Sequence, residues 1–317
     1  MVHKVRCGRQ DLPGLEGHIV DRTLILVIIP VVILFIPALL SFLACLENHN
    51  SGDAARQRDL LGGQLARGLA RAFVDSVWSL WLTALFLPLG PFMGRLGKRG
   101  PGAGLPTVIL VHGLYHTPSA WFVLRRRLWR AGFSDVRCYG YASFGREFED
   151  IAAGLADLLL DAAQYAPGGR VVLVGHSLGG LVIRAACADP RVASGRGAGA
   201  ACRVAGVVTL GTPHGGSTLA GLLGVGRLAR GLSPQGRIIR LVRGLPCCRV
   251  PALSLYTPTD SMVLPLSGAL LDERELAAGW TQRALPPMSH VGLLYSSSAA
   301  RQTLEFLRGV SGEGVPV

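Results

Sequence analysis

Charge is scarce in this sequence. Only 16% of its 317 residues are Asp, Glu, Lys or Arg, well below the quarter usual in soluble domains. Lysine is nearly missing, so the 32 basic residues are almost all arginine, against 20 acidic ones and a net charge of +12. Such an excess can mark a nucleic-acid binder, but no Lys/Arg tract with interleaved aromatics is present, and no nucleic-acid partner is expected. Attraction to anionic lipid headgroups accounts for the charge better, given the apolar stretches below. Cysteine is also short of what a framework needs. The seven (Cys7, Cys45, Cys138, Cys187, Cys202, Cys247, Cys248) are odd in number and show no metal-ligand spacing, so buried free thiols are expected, and no bound metal. A cleaved leader is not expected either, since the first apolar run exceeds a signal-peptide core and no convincing small-x-small site follows it. What remains is apolar. At 50% hydrophobic residues and a mean hydropathy of +0.39, the chain reads as one large domain with a membrane-seeking appendage.

The appendage is N-terminal. Residues 1–23 are polar and mixed in charge. Residues 24–46 carry no charge and are long enough for a transmembrane helix, in which Pro30 and Pro37 are tolerable. A polar linker is expected at 47–75. A second apolar stretch at 76–94, with Trp78 and Trp81, reads as a second transmembrane or interfacial helix. If both segments cross, the positive-inside rule puts both ends in the cytoplasm. With one span, the basic N terminus stays inside and the remainder lies outside. The wealth of Arg, Ala and Gly suggests a GC-rich bacterium, hence an inner membrane. Glycine, proline and basic residues at 97–104 read as the hinge into a domain at 105–310.

That domain is organised around Val171-Val172-Leu173-Val174-Gly175-His176-Ser177-Leu178-Gly179-Gly180. With 42 glycines in the chain, G-x-S-x-G alone means little. Its setting is specific: an apolar strand before it and a helix-like stretch after it, the context of a nucleophile elbow. Gly175 and Gly179 leave room where strand and helix close on the turn, and the helix N terminus faces a developing oxyanion. Further strands are expected at 107–111, 136–139, 204–210 and 252–256, alternating with helices at 119–130, 148–162 and 293–307. This is an α/β pattern, a mostly parallel sheet with helices on both faces, and function in such sheets gathers beyond the carboxyl ends of the strands.

Three of those ends carry chemistry besides Ser177. Val111-His112-Gly113-Leu114 can supply the Leu114 N–H, which with the Leu178 N–H would form an oxyanion hole; His112 itself reads as structural. Asp260 follows a buried strand and can orient an imidazole. Asp272, Glu273 and Glu275 are nearby alternatives on what reads as an exposed helical face. His290 precedes the last helix, and of His112, His116, His176, His214 and His290 it alone follows the acid, as the order Ser…Asp…His in this architecture requires.

Together with Gly211-Thr212-Pro213-His214-Gly215-Gly216, these five ordered motifs resemble those of α/β-hydrolase lipases and esterases, with bacterial triacylglycerol lipases and palmitoyl-thioesterase-like hydrolases the most similar. The resemblance covers about two-thirds of the chain. It implies an α/β-hydrolase fold with Ser177 as nucleophile, His290 as base, Asp260 as orienting acid, and Leu114 and Leu178 as oxyanion donors, with no cofactor. It also implies a lid at 217–246, which here is apolar and rich in arginine. The expected function is a membrane-anchored serine hydrolase of lipid acyl esters. Thioester hydrolysis or acyl transfer on the same triad is the nearest alternative, and a non-catalytic membrane scaffold of the same fold is the alternative from another class.

Overall fold

The computed structural model describes residues 22–93, 104–195 and 202–312, with side chains from Leu34 onward. The expected segment at 1–23 and the hinge at 97–104 lie almost wholly outside them. Six strands form one parallel sheet in the order β2-β1-β3-β4-β5-β6: β1 Thr107–Val111, β2 Val136–Tyr139, β3 Arg170–His176, β4 Arg203–Leu210, β5 Ala252–Tyr256 and β6 Trp280–Ala284. Strand side chains alternate between the two faces. Ile109, Leu173 and Val207 pack under helices Phe148–Tyr165 and Leu178–Cys187, while Val108, Val172, Val174 and Leu253 pack under helices Phe122–Arg130 and Ser297–Ser311. Residues buried on both faces explain why these strands read as unbroken apolar runs. The order reverses between β1 and β3, so the loops leaving their carboxyl ends part to opposite sides and open a crevice there. Leu114 and Ser177 stand at that crevice.

Two corrections to the sequence reading concern this domain. The sixth strand, Trp280-Thr281-Gln282-Arg283-Ala284, was not expected, because an edge strand with three polar residues carries no apolar run. Glu275 is not exposed. It is buried and ion-paired with Arg184 of the elbow helix, while Asp272 caps the helix Glu273–Ala277 in a capping box.

The N-terminal region is a helical hairpin. The helix Arg22–Asn50 covers the whole uncharged run. The stretch expected as a polar linker is itself largely helical, with Ala54–Leu60 and then Leu65–Phe86. Gly68, Ala72 and Ser79 of the latter are buried, whereas Val74, Trp78, Trp81 and Leu85 are more than half exposed. By length and composition Leu65–Met93 could cross a membrane. It is nevertheless laid along the α/β domain: Phe86 stacks on Phe122 at 4.6 Å, Thr83 Oγ1 is 2.9 Å from Tyr295 Oη, and Arg125 Nη1 donates to Met93 O at 3.1 Å. Beyond Arg71 the usual pattern is inverted: Asp75, Ser79 and Thr83 face protein, while Val74, Trp78, Trp81 and Leu85 face outward, so this part of the helix is amphipathic inside out.

Candidate active site

Strand β3 ends at His176, and the helix Leu178–Cys187 begins at once. Ser177, between them, is forced to φ 54° and ψ −125°, a region that costs a side-chain-bearing residue about 1–3 kcal/mol. Its surroundings hold it there. Ser177 N donates to Leu210 O at 2.9 Å, and Thr212 Oγ1 donates to Ser177 O at 3.0 Å, so the end of β4 braces the turn. On the other side, a Cβ on Gly113 would stand 2.9 Å from that of Ser177. The backbone of the loop after β1 therefore lies directly against the serine. Among the described residues, neither the Leu114 N–H nor the Leu178 N–H donates to a protein acceptor. Leu114 lines the same cavity as Ser177, and Leu178 is the serine's neighbour in the chain.

Asp260 and His290 come from loops after β5 and β6 and meet in the interior. His290 Nδ1–H donates to Asp260 Oδ2 at 2.7 Å. The other carboxylate oxygen, Oδ1, accepts from Met262 N at 2.8 Å and Val263 N at 2.9 Å, which fixes the carboxylate plane. Both residues are about 96% buried, which keeps water from competing for the bond. Gly211 lets the pair sit against β4: a Cβ there would come within 3.1 Å of His290 Nδ1. With its proton held on Nδ1, the imidazole presents a bare Nε2, and the His290 and Ser177 side chains line one cavity of about 180 Å³. The rest of the wall is mostly apolar, with Leu114, Leu219, Leu223, Leu232 and Val263, and Leu40 contributed by the first helix of the hairpin, although His116, His176 and Ser217 also reach it.

His112, His116 and His176 cluster near this pair. His112 Nδ1–H donates to Gly113 O at 2.9 Å and its Nε2 accepts from Tyr141 N at 3.3 Å, so its role is to hold the loop. His176 precedes the acid in the chain, yet its ring lies 4.6 Å from that of His290, and its Nε2–H donates to the His290 carbonyl at 3.1 Å. The sequence carried no signal for this support from beneath. His214 accepts from Arg184 Nη1 at 3.1 Å on Nδ1 and lies 3.2 Å from Ser254 Oγ on Nε2, in a network with the Arg184–Glu275 pair that anchors the loop after β4.

Burial lowers His112 and His116 to about 4 and pushes His176 and His214 well below the usual imidazole range. All four are neutral in the folded chain at pH 7. Below the unfolded value of about 6.5 the unfolded chain takes up protons that the folded one refuses, so stability falls with pH. The expected result is a urea midpoint that is flat above about pH 7 and drops between about pH 6.5 and 4, at up to about 1.4 kcal/mol per pH unit for each histidine. A midpoint that holds steady through that window would contradict the neutral assignment.

The segment 217–246 forms three short helices, Thr218–Leu223, Arg227–Gly231 and Arg237–Gly244, over the cavity. Leu222, Leu223 and Val225 stand exposed at its edge. Tyr115 pins that edge, its hydroxyl donating to Val225 O at 2.5 Å and accepting from Val225 N at 2.9 Å. Arg227 and Arg237 add ion pairs to Glu147 and Glu149.

This architecture can be set beside known proteins. The model of the alpha/beta hydrolase family matches residues 108–309. The chain belongs to that family. As a member, it shares its fold with a Bacillus licheniformis lipase in its mature form, at 21% identity and a TM-score of 0.52, over 68% of this chain and 96% of that one. Aspergillus fumigatus lipase B gives 19% identity and a TM-score of 0.52, over 70% of this hydrolase-family chain but only 54% of the fungal one. A comparison with curated proteins finds no match. The family match begins at β1, so the N-terminal hairpin lies outside it.

Proposed function

We propose that the chain is a membrane-associated serine hydrolase that cleaves carboxylic esters of lipid acyl chains. The observation that carries this is the strained Ser177, facing the same apolar cavity as an imidazole whose proton is held away from it by Asp260. His290 Nε2 takes the Ser177 proton as Oγ attacks the ester carbonyl. The Leu114 and Leu178 amides receive the oxyanion, and the alkoxide leaves with the proton returned from His290. Water then repeats the sequence on the acyl-enzyme. Asp260 keeps the imidazole in the required tautomer and stabilises it when charged. The fatty chain lies along Leu219, Leu223, Leu232 and Leu40. Membrane association is supported by the outward-facing Phe35, Phe42, Trp78, Trp81 and Leu85 of the hairpin, together with the net charge of +12.

The test uses the full chain in detergent micelles and in anionic vesicles. A fluorophosphonate probe is expected to label one residue, Ser177, and p-nitrophenyl esters from acetyl to palmitoyl to be hydrolysed with a preference for the longer chains. Absence of both labelling and turnover would leave a non-catalytic scaffold. Turnover confined to acetyl and butyryl esters would remove lipids from the substrate class while leaving the triad in place.

A further inference from the structure

The hairpin meets the α/β domain at the two loops that carry Asp260 and His290, through polar side chains. Beside the acid, Gln57 Nε2 donates to Pro258 O at 2.8 Å and Asn48 Oδ1 accepts from Leu266 N at 2.8 Å. Beside the base, Asp75 Oδ2 accepts from both Ser289 N, at 2.8 Å, and Ser289 Oγ, at 2.7 Å. Ser289 is the residue before His290. Its Oγ also accepts from Gly292 N at 2.9 Å, which closes the turn around the carboxylate. Gly292 has no room for anything larger, since a Cβ there would overlap the Asp75 carboxyl group.

A carboxylate in the middle of an apolar helix is costly unless it is hydrogen-bonded. If the helix needed only to be fastened to the domain, the Thr83–Tyr295 and Arg125–Met93 contacts already do so further along. What distinguishes Asp75 is the group it holds: the main-chain N–H one residue before the imidazole that must bridge Asp260 and Ser177. Such geometry is demanding, because a displacement of about 1 Å can cost about 100-fold in rate.

We propose that Asp75 is a positioning residue for hydrolysis, fixing the Ser289–His290 turn from outside the family domain so that the hairpin is part of the catalytic unit. This rests on His290 being the base of the proposed triad. Asp75 would act through Ser289 and touch no substrate.

The full chain in detergent is compared as wild type, Asp75→Ala and Asp75→Asn, by the rate and final stoichiometry of fluorophosphonate labelling and by steady-state hydrolysis of a butyryl ester. Asparagine keeps an acceptor oxygen for Ser289 and alanine does not. For alanine, full final labelling is expected at a rate about 100-fold slower, with kcat reduced alike and KM within about twofold; asparagine should recover most of the loss. Alanine labelling at the wild-type rate overturns the proposal, and so does an equal loss in both variants. Should alanine lower the final stoichiometry, the fold has suffered and Ser289→Ala decides. That variant keeps the main-chain contact to Asp75 but loses Oγ, so a rate about tenfold slower at full stoichiometry is expected, and an unchanged rate refutes the idea. A wild type that never labels at Ser177 takes down the hydrolase reading itself, a different failure from a wild type that labels and an alanine variant that labels equally fast.

Discussion

Asp260→Asn will lower kcat for ester hydrolysis by about four orders of magnitude, and Ser177→Ala by about six, with the fold intact in both. The asparagine effect follows from the way the carboxylate is held. Its Oδ1 receives two main-chain N–H groups, from Met262 and Val263, so an amide at this position must put its oxygen there. Its NH2 is then turned toward His290 Nδ1, where a carboxylate oxygen now accepts at 2.7 Å. Two donors cannot share that contact. The imidazole must move its proton to Nε2, and an Nε2–H cannot accept the proton of Ser177. The geometry survives while the chemistry stops. Single-turnover measurement with a p-nitrophenyl ester reads the loss directly, and a fall of less than about tenfold would mean that Asp260 is not the group that orients the base.

The second large effect is on folding. A Cβ added to Gly179 would overlap the Val111 carbonyl and approach the His112 carbonyl to 2.7 Å. Both are main-chain atoms at the end of β1, so neither can rotate aside. Relief requires β1 and the elbow helix to separate, which breaks the crevice between β1 and β3 and the packing beneath it. Gly179→Ala is therefore expected to cost more than about 4 kcal/mol, at the extreme end for a single substitution, and to yield little soluble protein. Gly309 is the matched control. It lies in the helix Ser297–Ser311 with nothing within 4 Å of an added Cβ, so Gly309→Ala should be neutral or stabilising by up to about 1 kcal/mol. Thermal unfolding of the pair separates steric exclusion from general intolerance of alanine, and a Gly179→Ala variant as stable as wild type would sink the account of the elbow.

What could be read from the sequence was local. The elbow needs glycines two residues either side of Ser177, the strands need apolar runs, Asp260 stands just past one of those runs, and His290 is the histidine that follows the acid. Apart from that order along the chain, each signal lies within a few residues of the group it concerns. What escaped was set by partners far away. Glu275 sits in a helical pattern that looks solvent-facing, and only the approach of Arg184 from the elbow helix makes its burial tolerable. Arg67 and Arg71 made their stretch look like a linker, yet both lie on the outer side of a helix whose other side is packed. Asp75 falls at the end of the expected linker, whereas it lies ten residues inside a helix, and its partner is 214 positions away. The same holds for Leu40, an ordinary leucine in an apolar run until the fold brings it to the cavity of Ser177.

The inside-out hairpin also sets a problem of order during synthesis. Its polar groups find their partners 201 to 218 residues later in the chain, so at about 5–20 residues per second the ribosome leaves them waiting for about 10–40 s. Throughout that interval the hairpin is apolar on the outside, with Asn48, Gln57 and Asp75 still unmatched, and no domain exists to receive them. On the proposed membrane association, the bilayer shelters it in the meantime. The α/β domain then docks onto helices already in place, and the slowest contacts to form are the ones that flank Asp260 and His290.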